Sequence, residues 1–250
     1  MAAAPAPPLL EVAANSLASA IDAQEAGAGR IELCASLGEG GLTPSYATIA
    51  LARERLQIPL YVLIRPRAGD FLYDALELAT MRRDIEACVQ LGCDGVVIGA
   101  LDADADVDTS ACRVLIAAAG SLGVTFHRAF DLCRDPREAL ETIVALGCER
   151  ILTSGSQPSA CEGVPLIREL IVQAAARVTV MPGAGVDADN IAALHAATGA
   201  SEFHASARHA LASRMRHRQP RLADMQTGEI RSDAQQIRRM LQALRDASAA

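Results

Sequence analysis

The chain contains no lysine, so apart from its histidines all of its positive charge is arginine. Schiff-base chemistry on a carbonyl substrate needs a lysine amine, and that class of aldolase reaction is excluded. Tryptophan is also absent, and only four Phe and three Tyr occur in 250 residues. The core must therefore be aliphatic. With 51% of residues hydrophobic there is ample material for one, and buried parallel strands read as short aliphatic runs of this kind. A net charge of −7 lacks the basic footprint of a nucleic-acid binder. No apolar run approaches the ~20 residues that span a bilayer, so no membrane association is expected. The first ten residues, MAAAPAPPLL, have no positive start and no long apolar stretch. They read as a leader before the first strand rather than a signal peptide. Seven cysteines occur without a C-x-x-C pair, which argues against a zinc ribbon or a thioredoxin-like motif. Their scattered spacing suits a reduced, cytoplasmic protein.

What is present is a regular alternation of short aliphatic runs and amphipathic stretches. The runs are Leu9–Ala13, Arg30–Cys34, Leu60–Arg65, Gly95–Gly99, Val124–Arg128, Arg150–Gly155, Val178–Met181 and Ser201–Ser206. Helices follow seven of them, with starts signalled at Asn15 or Ser16, at Thr43-Pro44-Ser45, at about Asp74, after the acidic loop from Asp102 to Asp108, at Asp135-Pro136 and at Asp187 or Asp189. Similar Ala-Gly or Leu-Gly-Cys turns precede strands two, four and six. Repeated βα units imply a parallel sheet. An open doubly wound sheet would favour a glycine fingerprint after strand one, where Ala14-Asn15-Ser16 stands instead. The pattern predicts one TIM (β/α)₈ barrel over residues 8–210. Residues 211–250 follow as a basic segment and a terminal helix from about Asp233 to Asp246, which packs on the barrel or on a partner subunit.

Barrel active sites form at the C-terminal ends of the strands, and residues two apart share a strand face. Polar residues inside the hydrophobic runs are therefore informative. Glu11, Glu32, Arg65, His127 and His204 form a lumen ring of mixed sign. Such a ring can be a structural ion-pair network or an acid–base site carried by Glu11, Glu32, His127 and His204. Gly183 and Gly185 after strand seven, with Ser206 after strand eight, can form a backbone anion site or a plain βα turn. Arg65-Pro66-Arg67 can fork onto an anion or pair with Glu11, Glu32 or Asp70, and Ser154 at the end of strand six adds a further donor. Cys34 offers one soft ligand that would favour Cu(I). The alternating Asp102, Asp104, Asp106 and Asp108 lack the glycine and terminal Glu of an EF-hand, and read as a helix lead-in.

Several of these stretches together resemble the CutC family, called copper homeostasis proteins, over nearly the whole chain. They are RIELC at 30–34, EGGLTPS at 39–45, IRPRAGDFLY at 64–73, VTFHRAFD at 124–131, RILTSG at 150–155, MPGAGV at 181–186 and EFHASA at 202–207. The resemblance implies a TIM barrel, a cytoplasmic location, a homodimer or higher oligomer, and a role in copper level or tolerance with Cu(I) as ligand. Many members carry a Cys where this chain has Ala13, so a two-thiol copper site with Cys34 is not available. The residues alone support another expectation: a barrel enzyme acting on a small anionic or phosphorylated substrate. They also allow a scaffold whose lumen charges merely pair.

Overall fold

The computed structural model describes residues 8–217, 219, 221–222 and 228–249. Eight parallel strands curl into a barrel: β1 Leu9–Ala14, β2 Arg30–Leu33, β3 Leu60–Leu63, β4 Gly95–Ile98, β5 Gly123–Phe126, β6 Arg150–Thr153, β7 Thr179–Pro182 and β8 Glu202–Ala205. The helices that cross back between them are α1 Leu17–Ala26, α2 Tyr46–Arg55, α3 Ala75–Leu91, α4 Thr109–Ala119, α5 Pro136–Leu146, α6 Val164–Ala174 and α7 Ile191–Thr198. The hydrogen-bonded order is β7-β6-β5-β4-β3-β2-β1-β8. Strands β7 and β8 lie side by side, but no ladder joins them.

Local chemistry explains the regular winding. Ser16, Ser45, Asp74, Asp108 and Asp135 each accept a backbone N–H at a helix start, which satisfies donors the first turn leaves free. The repeated glycine turns are helix ends. Gly27, Gly92 and Gly147 take φ of 101°, 71° and 83° and close α1, α3 and α5, a left-handed backbone that glycine adopts without a Cβ clash.

Most of the apolar core lies between strands and helices, with Phe126, Phe130 and Phe203 among its largest members. A smaller apolar group, Cys34, Tyr61, Leu63 and Val97, lies apart from it.

Three strands end two residues earlier than the sequence suggests. β3 ends at Leu63 rather than Arg65, β5 at Phe126 rather than Arg128, and β6 at Thr153 rather than Gly155. Beyond those points the backbone leaves the ladder for the βα loops. Arg65 N–H turns to the Thr43 hydroxyl at 2.8 Å, and Arg128–Leu132 winds into a 3₁₀ helix. The residues expected at strand ends therefore lie in the mouth of the barrel.

The C-terminal region also departs from expectation. A hairpin of β9 Arg208–Ala210 and β10 Ile230–Ser232 precedes the last helix, α8 Ala234–Ala249. Ile237, Met240 and Leu244 are buried, and α8 packs between α7 and α1 of its own chain. It takes the place of an eighth helix on its own barrel. Within the basic stretch 213–222, Arg218 and Pro220 lie outside the described residues. No described helix is long and apolar enough to cross a membrane.

Candidate functional site

The lumen has two levels, and period two along the strands connects them. At the N-terminal end, the opening residues of β2, β6 and β8 are Arg30, Arg150 and Glu202. Arg30 is ion-paired to Glu11 through Nε and reaches Glu202 at 2.6 Å. Arg150 contacts Glu202 at 2.6 Å, Glu149 at 2.8 Å and the Thr125 hydroxyl at 3.1 Å. Tyr61 donates to Glu149, and both guanidinium carbons stand over its ring at 5.3 and 5.5 Å. β4 and β5 begin with glycine for a packing reason: a Cβ on Gly95 or Gly123 would come within 2.1 or 2.2 Å of the Tyr61 side chain. Burial and the hydrogen bond to Glu149 push the Tyr61 hydroxyl up to about 12. This floor is a closed network of paired charges.

Glu11 links the floor to the mouth. One carboxylate oxygen takes Arg30, and the other lies 2.8 Å from His204 Nδ1. Burial alone would raise its pKa, but Arg30 and His204 outweigh burial and hold it near 2. The strand register dictates this contact, because Glu11 and His204 are direct partners across β1 and β8. Glu32 stands 4.0 Å from the same His204 nitrogen. Glu32 is 5% exposed, and its Oε2 has no hydrogen-bond partner. Burial, helped by the nearby Glu11 charge and opposed by His204 and Arg30, lifts its carboxyl to about 7. Burial works against a charged His204, yet Glu32 and Glu11 raise its pKa. Ligand atoms of Glu11, Glu32 and His204 come within 4.8 Å of one another. Both Glu11 oxygens are engaged, by Arg30 and by His204, whereas Glu32 is hydrogen-bonded to neither Glu11 nor His204.

Glu32 and His204 open into a cavity of about 310 Å³ at the C-terminal mouth. Its walls include Leu63, Leu152 and Phe71, with Arg65 and His127 as further polar members. Arg65 is anchored by three backbone carbonyls, of Glu39 and Gly41 at 2.9 Å and of Gly69 at 2.7 Å. His127 Nδ1 accepts the Ala129 N–H at 3.1 Å. Burial, reinforced by the Arg65 charge, lowers the His127 pKa to about 3, so its ring is neutral. A Cβ on Gly99 would come within 2.5 Å of that ring, so glycine ends the β4 run where His127 packs.

The other expected site residues are dispersed. Arg67 pairs with Asp70 and Glu77 and donates to the carbonyls of Asp70 and Leu72. It staples its own loop and does not line the cavity. Ser154 donates to Gln157 at 2.6 Å and binds Asp131, fully buried. Gly183 packs against Leu152 and His204. Gly185 and Ser206 do share a second cavity, separate from the mouth and lined also by Asp187, Asp189, Asp233, Arg208 and His209. Cys34 is buried, its thiol lies 3.7 Å from the Ala14 carbonyl, and burial pushes its pKa well up.

Sequence reasoning missed Arg30, Tyr61, Arg150 and Glu202. It also missed Asp131, which accepts the Ser154 and Ser156 N–H groups and the Thr153 hydroxyl. That carboxylate fills the place an anion would take at the end of β6.

A family model described as "CutC family" matches residues 8–209. A CutC family protein of Xanthomonas campestris pv. campestris (strain B100) is 57% identical over 238 residues, covering 95% of this chain and 99% of that protein. The crystal structure of a protein from Streptococcus agalactiae, described as a copper homeostasis protein CutC, superposes with a TM-score of 0.77 at 36% identity, over 80% of this chain and 98% of that one. A thiamine phosphate pyrophosphorylase from Pyrococcus furiosus shares the fold alone, with a TM-score of 0.60 at 13% identity over 96% of each chain. The barrel, its mouth motifs and these likenesses agree, and the chain belongs to the CutC family.

Proposed function

We propose that this protein is a barrel enzyme that binds a small anionic or carbonyl-bearing metabolite in its mouth and moves a proton through Glu32. The observation that carries this reading is the unpartnered Oε2 of Glu32, buried in the wall of the mouth cavity. A carboxyl that changes charge near neutral pH is suited to both accept and return a proton. His204 stands next to it, turned by Glu11, which Arg30 in turn holds ionised. The free cysteines suit a reducing compartment, and we assign the protein to the cytoplasm.

The residues present do not fit Cu(I). Soft thiolates select that ion. Cys34 faces the Ala14 carbonyl with its pKa raised, and Ala13 supplies no second sulfur. The link to copper homeostasis that comes with the Streptococcus relative's name is, in this reading, a cellular consequence rather than direct coordination. Anaerobic Cu(I) titration tests that point: wild type and Cys34→Ala are expected to bind alike.

The proton-carrying role is tested by following glutamate carboxyl carbons by NMR against pH, with Glu32→Gln for assignment. A Glu32 signal that titrates near neutrality is expected. Titration in the ordinary carboxylate range would overturn the reading.

A further inference from the structure

Besides Glu32 Oε2, two buried polar atoms on the cavity residues lack a partner: His127 Nε2 and Arg65 Nε. Their chemical state follows from what their other atoms do. His127 Nδ1 accepts a backbone N–H, and the ring is neutral. Its single proton is therefore on Nε2, which makes that atom a donor. Three backbone carbonyls hold the terminal nitrogens of Arg65 and leave Nε unused. The Phe71 ring lies against both, 4.8 Å from the imidazole and 5.0 Å from the guanidinium carbon. The two donors belong to rigid neighbours and cannot easily turn elsewhere. A buried donor without a partner is destabilising, so each of the two gains from an acceptor brought by a ligand.

We infer that His127 Nε2–H and Arg65 Nε–H together seat one oxygen of a small carbonyl acid, and that they hold the charge that oxygen gains during reaction. Preorganised donors of this kind act where negative charge develops. The charge balance of the mouth favours a single oxygen over a phosphate. Arg128 is already paired to Asp131 at 2.7 Å, while Glu32 and Glu39 also line the cavity. A cavity of about 310 Å³ is at the small end for a metabolite site.

The reaction rests on the proton-carrying role of Glu32. The C–H bond next to the carbonyl breaks and its proton goes to Glu32 Oε2. The bond pair forms a carbon–carbon double bond, and the carbonyl π pair moves to the oxygen held by the two donors. Return of the proton regenerates a carbonyl compound. The step is balanced, needs no further reactant, and amounts to isomerisation, epimerisation or exchange with solvent.

The test uses the full chain with nitrogen-labelled histidine and arginine, titrated with oxalate, which mimics the enolate of pyruvate, and separately with inorganic phosphate. Oxalate is expected to shift the His127 Nε2 and Arg65 Nε resonances, and phosphate is not. His127→Asn keeps a short acceptor for the Ala129 N–H but does not reach the cavity. It is expected to fold and to weaken oxalate at least about tenfold, the loss of one hydrogen bond. Glu32→Gln is expected to retain oxalate and to abolish deuterium exchange into the pyruvate methyl group. No response of the two donors to oxalate, an equal response to phosphate, or unweakened oxalate binding by His127→Asn would overturn the inference. If the donors respond while Glu32 titrates as an ordinary carboxyl, the proton-carrying role fails and the oxygen site stands.

Discussion

The floor and the mouth of this barrel are built from the same residue types, yet they are opposite in state. In the floor every charged group has a partner: Arg30 and Arg150 share Glu202, with Glu11 and Glu149 completing the set. In the mouth, buried Glu32, Arg65 and His127 each keep one polar atom without any. Removing one partner of a buried charge pair is costly, whereas a buried polar atom without a partner persists against a stability cost and calls for an explanation. The difference tells the structural part of the mixed-charge ring from the functional part, a division that residue type alone did not make.

The comparison can be broken first at the floor. Arg30→Met strands Glu11 and part of Glu202 without their cation, and breaking a buried pair in this way costs about 3–5 kcal/mol. Urea unfolding at pH 7 should show a loss of that size; a loss under about 1 kcal/mol would mean that the floor is not what holds the barrel.

The mouth should respond with the opposite sign. The Glu32 carboxyl, lifted from 4.5 to about 7, favours its protonated form in the folded chain. That contribution is complete below pH 4.5 and is lost as pH rises through 7. Glu32→Gln is neutral throughout, so at pH 8 it should be more stable than wild type by about 3 kcal/mol relative to the difference at pH 4. A constant difference across that range would place Glu32 with the floor.

His127 gives the acid limb. Its folded pKa near 3 lies below the ordinary 6.5, so its contribution is present above 6.5 and is lost as pH falls toward 3. Between pH 7 and pH 5, His127→Asn should gain about 2 kcal/mol on wild type. Parallel unfolding curves at the two pH values would refute this.

The smallest effect belongs to Arg67. It is 37% exposed and bound to its own loop and to the first turn of α3, so Arg67→Ala should cost about 1 kcal/mol. It should leave oxalate binding unchanged, and any weakening there would show that the mouth extends past Arg65.

The alternation of aliphatic runs and helix caps made the barrel legible, because each cap and glycine stop acts within a few residues. Glu11, Glu32, Arg65, His127 and His204 were also legible, as polar residues in or at the end of hydrophobic runs. The floor was not, although its signal was available: Arg30, Arg150 and Glu202 each stand two residues before a lumen residue, Glu32, Leu152 and His204. At the start of a run a charge reads as a solvent-exposed flank, and only barrel closure brings three such flanks together. The glycine loop after β7 is ambiguous for the converse reason. Glycine serves a bare turn as well as an anion, and the three aspartates beside Gly185 and Ser206 come from parts of the chain that are brought together only by folding.

The missing ladder between β7 and β8 makes the barrel a split ring. Seven seams are tied by hydrogen bonds, and at the eighth β7 and β8 lie side by side without a ladder. A split ring changes its bore by curling or uncurling, with every tied seam keeping its spacing. His204, Glu11 and Glu32 ride on three adjoining tied strands, β8, β1 and β2, at one lip of the gap, so their mutual geometry survives such a change. The β7–β8 seam is therefore the one place where the ring of strands can part without breaking a ladder hydrogen bond.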